Sequence, residues 1–225
     1  MRVVPNLYPA FERQEVVVSV PRHARSLAEL DDAELACVAA AWQARAGTAR
    51  RERFSYLHAL LNEGREAGAS LPHSHTQLVW LRDVPDAVAA ERMRSGDCGV
   101  CDLLARTERA LDERDGVLAL VHPAGRLPYE VLIAPRKHEG DGFASERLPV
   151  ALVLLAAAIR RLRAVEGAVP INAWLHTAPL AGGDGHWHAE LVPRLAVLAG
   201  IELGIGIYVN ALPPEDAAAA LRGGA

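Results

Sequence analysis

Residues 71–77 read LPHSHTQ, and the interpretation of the whole chain starts from this short stretch. Alternate residues of a strand point to one face, so His73, His75 and Gln77 are predicted to share a face. The preceding segment, residues 62–70, reads NEGREAGAS and is rich in small residues. Such a loop brings backbone N–H groups close to phosphate oxygens. A neutral imidazole beside it can attack phosphorus, and a glutamine amide can donate to the charge that develops.

The pattern recurs later in the chain, where residues 186–190 read HWHAE. The two HxH pairs are separated by 113 positions (186 − 73 and 188 − 75). A second landmark agrees: residues 21–23 read PRH and residues 135–138 read PRKH, so their histidines are 115 positions apart (138 − 23). The predicted strands and helices around both landmarks follow the same order, which indicates an internal duplication.

The duplication pairs His188 with His75 and Glu190 with Gln77. A carboxylate beside an imidazole repels a phosphoryl oxygen, and it suits an orienting role better. We therefore expect the nucleophile, His75, in the first half. The remaining histidines that lack a spacing partner are interpreted as core or surface residues: His58, His122 and His176.

The periodicity predicts an α+β fold with a mostly antiparallel sheet and helices packed on it. The duplication divides the chain into halves at 1–95, incomplete at its start, and 96–225. Ser26 and Glu29 form a capping-box pattern, which predicts a helix from Ser26 to about residue 46. Cys37 lies within that helix and is predicted to be a small core residue. Further strands and helices are predicted at 15–20, 54–61, 77–81, 86–94, 116–122, 130–135, 145–165 and 171–175.

Residues 98–101 read CGVC, a spacing typical of a zinc ligand pair or a redox pair. Zinc takes four tetrahedral ligands. The repeat offers two more, because His138 follows a predicted strand and His186 precedes another. We predict one zinc ion on Cys98, Cys101, His138 and His186, with a redox pair or no bound metal as the alternatives.

The 225 residues carry 51% hydrophobic side chains, a formal net charge of -4 and a pI near 6.1. A mildly acidic chain gives no electrostatic footprint for nucleic acid. No apolar run reaches the length of a membrane span, and the first residues lack the pattern of a signal peptide. We expect a cytoplasmic protein that binds neither nucleic acid nor membrane.

Taken in order, the motifs resemble those of the galactose-1-phosphate uridylyltransferase family of the histidine-triad superfamily, including its nucleotide-sugar phosphorylase-like members. The similarity extends over nearly the whole chain. It is carried by VPNLYPA at 4–10, PRH at 21–23, the 62–77 run, CGVC at 98–101, PRKH at 135–138, HWHAELVP at 186–193 and PEDAA at 214–218. The fold implied is a pair of tandem histidine-triad-like halves.

The resemblance implies a two-step transfer of a nucleoside monophosphate between a nucleotide sugar and a hexose 1-phosphate. His75 matches the histidine that becomes nucleotidylated, and Gln77 matches the glutamine that steadies it. The positions that match substrate contacts are Asn6, Asn62, Gly68 and Ser70. Two residues match ligands of the family's first metal site, His23 and His73, while Cys98, Cys101, His138 and His186 match the second, a zinc site. A homodimer is compatible with this resemblance.

Two departures from the family pattern shape the alternatives. The family's first metal site also uses a Cys-x-x-Cys pair, and the repeat spacing puts its equivalent before Met1, so the chain is expected to be N-terminally short. Residues 198–206 lack the aromatic and glutamate residues of the galactose-specific enzymes. The alternatives to the uridylyltransferase-like reaction are a nucleotide-sugar or dinucleotide phosphorylase or hydrolase, and a catalytically weakened zinc-binding homologue.

Overall fold

The computed structural model describes residues 1–93 and 98–223, which form nine strands and six α-helices. The strands are β1 (Arg2–Pro5), β2 (Arg13–Val18), β3 (Tyr56–Glu63), β4 (His75–Leu81), β5 (Ala110–Arg114), β6 (Val117–Val121), β7 (Val131–Pro135), β8 (Ile171–His176) and β9 (His188–Pro193). The helices are α1 (Asp32–Arg51), α2 (Asp86–Met93), α3 (Gly99–Ala105), α4 (Leu148–Glu166), α5 (Gly200–Ile205) and α6 (Pro214–Gly223). This confirms the predicted α+β class.

All nine strands join one antiparallel sheet in the order β1-β2-β4-β3-β8-β9-β7-β6-β5. The order β1-β2-β4-β3 is repeated by β6-β7-β9-β8, and β5 is added at the far edge. The two halves meet where β3 pairs with β8, from Leu60 opposite Trp174 to Glu63 opposite Ile171. The repeat seen in the sequence is therefore matched by the topology. The predicted boundary at 95/96 lies outside the described residues.

One face of the sheet is covered by α1, α4 and α6, and a single apolar core beneath them draws on both halves. Leu57, Ala59 and Leu61 of β3 point into it, as do Ala173 and Leu175 of β8. Strand side chains alternate between faces, so the intervening residues line the opposite face, called here the open face. The catalytic candidates lie on that face.

The helix predicted from Ser26 begins later in the structure. Ser26 caps only a short 3₁₀ turn, Leu27–Glu29, by accepting from the Ala28 backbone N–H. The α-helix starts at Asp32 and carries its own capping box, formed by Asp31 and Glu34. Two successive Ser/Asp-x-x-Glu patterns occur here, and the second begins the long helix.

The core prediction for Cys37 is wrong, because its side chain is exposed. The buried stripe of α1 runs through Leu35, Val38, Ala39 and Trp42. Residue 37 falls on the opposite side of the 3.6-residue helical period.

A second, smaller apolar cluster lies on the open face, over β6 and β7. It joins Leu118, Leu120 and Leu132 to Leu104 of α3, with Val100 and Leu103 packed beside it. The short helix that follows Cys98 is thus held against the sheet by a few apolar contacts. Within residues 1–93 and 98–223, none of the helices has the combined length and apolar character needed to cross a membrane.

Candidate active site and metal centre

His75 is the first residue of β4 and lies on the open face. Its neighbour Thr76 faces the core, where its Oγ1 accepts a hydrogen bond from Trp42 Nε1 at 2.9 Å. The imidazole of His75 is only 6% exposed, and its Nδ1 lies 2.8 Å from the His73 carbonyl oxygen. A carbonyl oxygen only accepts, so Nδ1 carries the proton and the lone pair is on Nε2. This is the tautomer that a nucleophilic histidine requires.

Gln77 lies two residues farther along the same face, and its amide is oriented by Gln14. The Gln14 Oε1 accepts from the Ala10 backbone N–H at 3.0 Å, so the Gln14 Nε2 must face Gln77. The Gln14 Nε2 donates to Gln77 Oε1 at 2.6 Å. The Gln77 Nε2 is thereby left to point its N–H donors elsewhere, which suits contact with an anion.

The loop before β4 turns on two glycines with left-handed backbones, Gly64 at φ 86° and Gly68 at φ 88°. A Cβ on Gly64 would lie 2.8 Å from Pro170 Cβ, so the loop approaches the second half too closely for any side chain there. Asn62 precedes the loop, and β-sheet register puts it level with His75, one pair beyond Leu61 opposite Thr76. Ser70 is exposed near the loop's end.

Asn6 follows β1 and lies level with Gln14, which is opposite Val79 of β4. Its backbone N–H donates to the Gln14 carbonyl at 2.8 Å, and its Oδ1 accepts from the Tyr8 backbone N–H at 3.0 Å. The residue therefore adjoins Gln14, which in turn contacts Gln77. The structure thus places Asn62 and Gln77 near His75, whereas Asn6 lies farther along β4 and is connected to this face through Gln14.

The equivalent position in the second half holds an ionic cluster. His188 repeats the geometry of His75, with Nδ1 3.0 Å from the His186 carbonyl oxygen. Its Nε2, however, faces the Glu190 carboxylate at 3.5 Å, and its ring stacks on His176 with centroids 4.7 Å apart. His176 also contacts Glu190 through Nε2 at 3.3 Å and Glu91 of α2 through Nδ1 at 3.0 Å.

The titration of this cluster is strongly shifted. Burial by itself lowers the pKa of His176, but the carboxylates of Glu190 and Glu91 raise it to about 9. Burial acts to raise the pKa of Glu190, yet hydrogen bonds from His176 and His188 and the charge of Arg126 hold it far below its usual range. In the second half, the carboxylates of Glu190 and Glu91 thus lie beside His188, whereas the first half has Gln77 at the position equivalent to Glu190.

Cys98, Cys101, His138 and His186 come together, with all four ligand atoms within 4.8 Å of one another. Cys101 Sγ lies 3.5 Å from His138 Nδ1 and 3.4 Å from His186 Nδ1, and Cys98 Sγ lies 3.5 Å from His186 Nδ1. Bonds of about 2.3 Å to sulfur and 2.0–2.1 Å to nitrogen at a tetrahedral angle separate S and N by about 3.5 Å. His186 Nε2 donates to the Pro135 carbonyl at 2.7 Å and so keeps Nδ1 directed inward. The donor set fits a metal ion.

The two residues assigned to the family's first metal site also adjoin each other. The rings of His23 and His73 meet edge to face with centroids 5.9 Å apart. The His73 Nε2 lies 3.0 Å from the Arg22 carbonyl oxygen and its Nδ1 lies 3.1 Å from that of Ser74. In the described part of the chain, the groups of three or more close metal-ligand side chains are the Cys/His set above and the trio Glu91, His176 and His188.

Sequence reasoning did not find the roles of Glu91 and His176. Glu91 lies on a helix 85 residues before His176 (176 − 91), and no spacing motif connects them. The alternation of β8 does direct Asn172, Trp174 and His176 to the open face, and that pattern was the available signal.

Comparison with known proteins agrees with this geometry. Residues 9–85 match the family model described as galactose-1-phosphate uridyl transferase, N-terminal domain. An ADP-glucose phosphorylase of Arabidopsis thaliana is 26% identical, over 99% of this chain and 74% of the relative. A galactose-1-phosphate uridylyltransferase of Thermotoga maritima is 28% identical, over 92% of this chain and 73% of the relative.

The fold comparison points the same way. The crystal structure of an Arabidopsis thaliana ADP-glucose phosphorylase with bound ADP-glucose superimposes with a TM-score of 0.89 at 26% identity, covering 98% of this chain and 81% of the other. Family model, relatives and superposition all agree with the paired HxH motifs and the duplicated sheet. In sequence and in fold, the chain is similar to galactose-1-phosphate uridylyltransferase and to ADP-glucose phosphorylase over nearly its whole length.

Proposed function

We propose that this protein moves a nucleoside monophosphate between a nucleotide sugar and a sugar phosphate through a covalent intermediate on His75. Its relatives support nucleotidyl transfer by an enzyme. The observation that carries the covalent step is the hydrogen bond from His75 Nδ1 to the His73 carbonyl, which leaves the lone pair on Nε2. His188 makes the same bond from Nδ1 to a backbone carbonyl, but its Nε2 faces a carboxylate, which would repel a phosphoryl group.

In the first displacement, His75 Nε2 attacks the α-phosphorus of the nucleotide sugar. A P–N bond forms, the P–O bond to the β-phosphate breaks, and the electron pair leaves with the hexose 1-phosphate. The imidazole becomes cationic, and its Nδ1–H bond to the His73 carbonyl stabilises that charge. The Gln77 and Asn62 amides and the backbone N–H groups of residues 64–70 would hold the non-bridging oxygens where negative charge builds up. Gly68, Ser70 and Asn6 complete the proposed substrate contacts.

In the second displacement, an acceptor oxygen attacks the same phosphorus and the P–N bond breaks, which restores neutral His75. A hexose 1-phosphate as acceptor gives a uridylyltransferase-like reaction. Inorganic phosphate as acceptor would give a phosphorylase, a second candidate favoured by the ADP-glucose phosphorylase relative. The two functions share every step up to the intermediate, so they are separated only by which acceptor discharges it.

The metal in this proposal is one zinc ion on Cys98, Cys101, His138 and His186, supported by their sulfur–nitrogen separations of 3.4–3.5 Å. Zinc there has four protein ligands and no open position, so its contribution is structural. It would join α3 to the strand ends that carry His138 and His186. His23 and His73 supply only two nitrogens, and we expect no tightly held ion there. A cytoplasmic location is part of the same proposal.

A homodimer is the assembly we propose. The segment 195–209 exposes several large apolar side chains, among them Val197 at 92%, Leu203 at 74% and Ile205 at 70%. Exposed apolar patches of this kind mark contact surfaces. Light scattering coupled to size-exclusion chromatography measures the assembly. A monomer at high micromolar concentration would reject this part of the proposal.

The reaction is tested by incubating the protein with UDP-glucose and, separately, ADP-glucose, and by measuring intact mass. We expect an added nucleoside monophosphate, its loss in His75→Ala, and its retention in His188→Ala. Adding glucose 1-phosphate, galactose 1-phosphate or inorganic phosphate to the isolated adduct then identifies the acceptor. An adduct that persists in His75→Ala would reject the assignment. Failure of both nucleotide sugars to form one would favour the weakened, zinc-binding alternative.

A further inference from the structure

Asn172 of β8 connects the second half of the molecule to the phosphate-facing part of the first. Its Nδ2 donates to Asn62 Oδ1 and to the Ala67 carbonyl oxygen, both at 2.8 Å. Its Oδ1 accepts from Arg194 Nη1 at 3.4 Å. The two asparagines are directly opposite each other where β3 pairs with β8.

The chemistry of these partners determines the direction of every bond. The Ala67 carbonyl can only accept, so the Asn172 nitrogen must face it. The same nitrogen also faces Asn62, so the Asn62 oxygen must be the acceptor of that hydrogen bond. The Asn62 Nδ2 is therefore turned away from β8, and it lies 3.7 Å from the point where a Cβ on Gly68 would be. Its N–H donors are directed to the glycine loop.

We propose that Asn172 is a positioning residue that makes Asn62 present N–H donors, rather than its oxygen, to the substrate phosphate. This inference rests on the proposed function. If the Asn62 amide were reversed, its oxygen would face the phosphate oxygens and repel them. The hydrogen bonds run from the Arg194 guanidinium to the Asn172 amide and from there to the Asn62 amide, so that the Asn62 N–H donors would face the substrate phosphate. Gln14 orients Gln77 in the same way from the other side.

Asn172 also holds the loop itself. Its bond to the Ala67 carbonyl fixes the turn between Gly64 and Gly68, and the contact between Gly64 and Pro170 brings the same loop against β8. The phosphate contacts of the first half are thus set by a strand of the second half. This gives the second half a role in the reaction, although its own HxH site faces carboxylates.

The test compares Asn172→Ala, Asn172→Asp and Asn62→Ala, with the double variant Asn62→Ala/Asn172→Ala. The readouts are the first-order rate of adduct formation at saturating ADP-glucose or UDP-glucose and hydrogen exchange of residues 62–70. Deleting one oxyanion donor costs on the order of 10²-fold in rate. We expect that loss for Asn62→Ala and about 10-fold for Asn172→Ala, in each case mainly in the rate at saturation.

Asn172→Asp sharpens the test, because the new carboxylate accepts only and would draw the Asn62 amide into its reversed orientation. We expect it to be slower than Asn172→Ala, and the difference should persist at high salt, which screens a simple charge effect. The matched control is Asn210→Ala. Asn210 also bonds two carbonyls, those of Gly125 and Leu127, but lies away from the loop.

The double variant separates positioning from a structural role. If Asn172 acts through Asn62, then Asn172→Ala should cause no further loss of rate once Asn62 is alanine. The inference would be overturned if the two rate losses multiplied in the double variant, or if Asn172→Asp formed the adduct as fast as wild type. Either result would leave the covalent mechanism intact. If wild type forms no adduct, the proposed function fails. In that case, the positioning role is tested by hydrogen exchange alone. It would be overturned if Asn172→Ala left the hydrogen exchange of residues 62–70 unchanged.

Discussion

Removing the metal from the Cys98/Cys101/His138/His186 centre is expected to release α3 while the shared core stays folded. Leu104 is 3% exposed, and Val100 and Leu103 are partly buried against the small apolar cluster. At about 2 kcal/mol for a buried leucine and about half for each partly buried side chain, this burial contributes roughly 4 kcal/mol. Ordering the seven residues of α3 costs about 1 kcal/mol each, or roughly 7 kcal/mol.

The difference of about 3 kcal/mol favours the released helix by on the order of 100-fold in the absence of metal. A structural zinc site supplies about 10 kcal/mol or more, which is ample to reverse that preference. The main core needs no such help, because it does not depend on α3. We therefore expect local unfolding over 98–105, rather than global unfolding, when zinc is lost.

The assay is hydrogen exchange followed by mass spectrometry, with zinc content measured on the same samples. After chelation, or in Cys101→Ser, peptides covering 98–105 should exchange at nearly unprotected rates, while peptides covering 148–166 stay protected. Cys37→Ser, at an exposed position of α1, is the matched control and should change neither. Full protection of 98–105 in a sample shown to be metal-free would refute the reasoning. Loss of protection in 148–166 together with 98–105 would refute it equally.

Three further predictions concern stability and the two halves. Burial and the neighbouring His176 lower the pKa of His58 to about 4. Between pH 6.5 and 4.5, His58 therefore becomes protonated in the unfolded chain but stays largely neutral in the folded chain. The free energy of unfolding should fall by about 2–3 kcal/mol over this range. His58→Gln should flatten that slope in urea titrations. His176, whose folded pKa is raised to about 9, has a small effect of the opposite sign near pH 6.5, where its unfolded form titrates. An unchanged slope would contradict the assignment. Gly64→Ala combines a positive φ with a 2.8 Å clash against Pro170 and should cost about 2–4 kcal/mol in thermal unfolding. Gly182→Ala is its control, with φ +92 but open space around it, and should cost only about 1 kcal/mol. An equal loss of stability in the two variants would mean that Pro170 moves aside to accommodate the new Cβ. His188→Ala should lower the rate of adduct formation far less than His75→Ala does, and an equal loss would show that the halves have not divided their roles.

Much of the fold follows from local pattern. The 113-residue offset between the two HxH pairs predicted the repeated topology, and alternation along residues 73–77 predicted the common face of His75 and Gln77. The clustering of Cys98, Cys101, His138 and His186 was predictable because a tetrahedral ion needs four donors and the repeat offered two histidines. These inferences depend on spacings of a few residues or on one constant offset, which a sequence states directly.

What could not be predicted depends on which strands become neighbours. Asn62 and Asn172 are 110 residues apart, and only the pairing of β3 with β8 brings them together. Glu91 reaches His176 from a helix whose position depends on the finished sheet. The late start of α1 had a different cause: two capping signals competed within six residues, and the burial of Leu27 and Ala28 in a separate turn decided between them.

The pairing of β3 with β8 also has a consequence for folding during translation, because β8 is synthesised long after β3. Once β3 and β4 have left the ribosome, one edge of β3 stays open until β8 emerges, 108 residues after Glu63 (171 − 63). At about 5–20 residues per second, the nascent chain carries that open edge for on the order of 5–20 seconds. Open edges recruit other chains unless polar residues interrupt them. Asn62 and Glu63 place two polar side chains at one end of this edge, where a strand of another chain that paired with it would have to bury them.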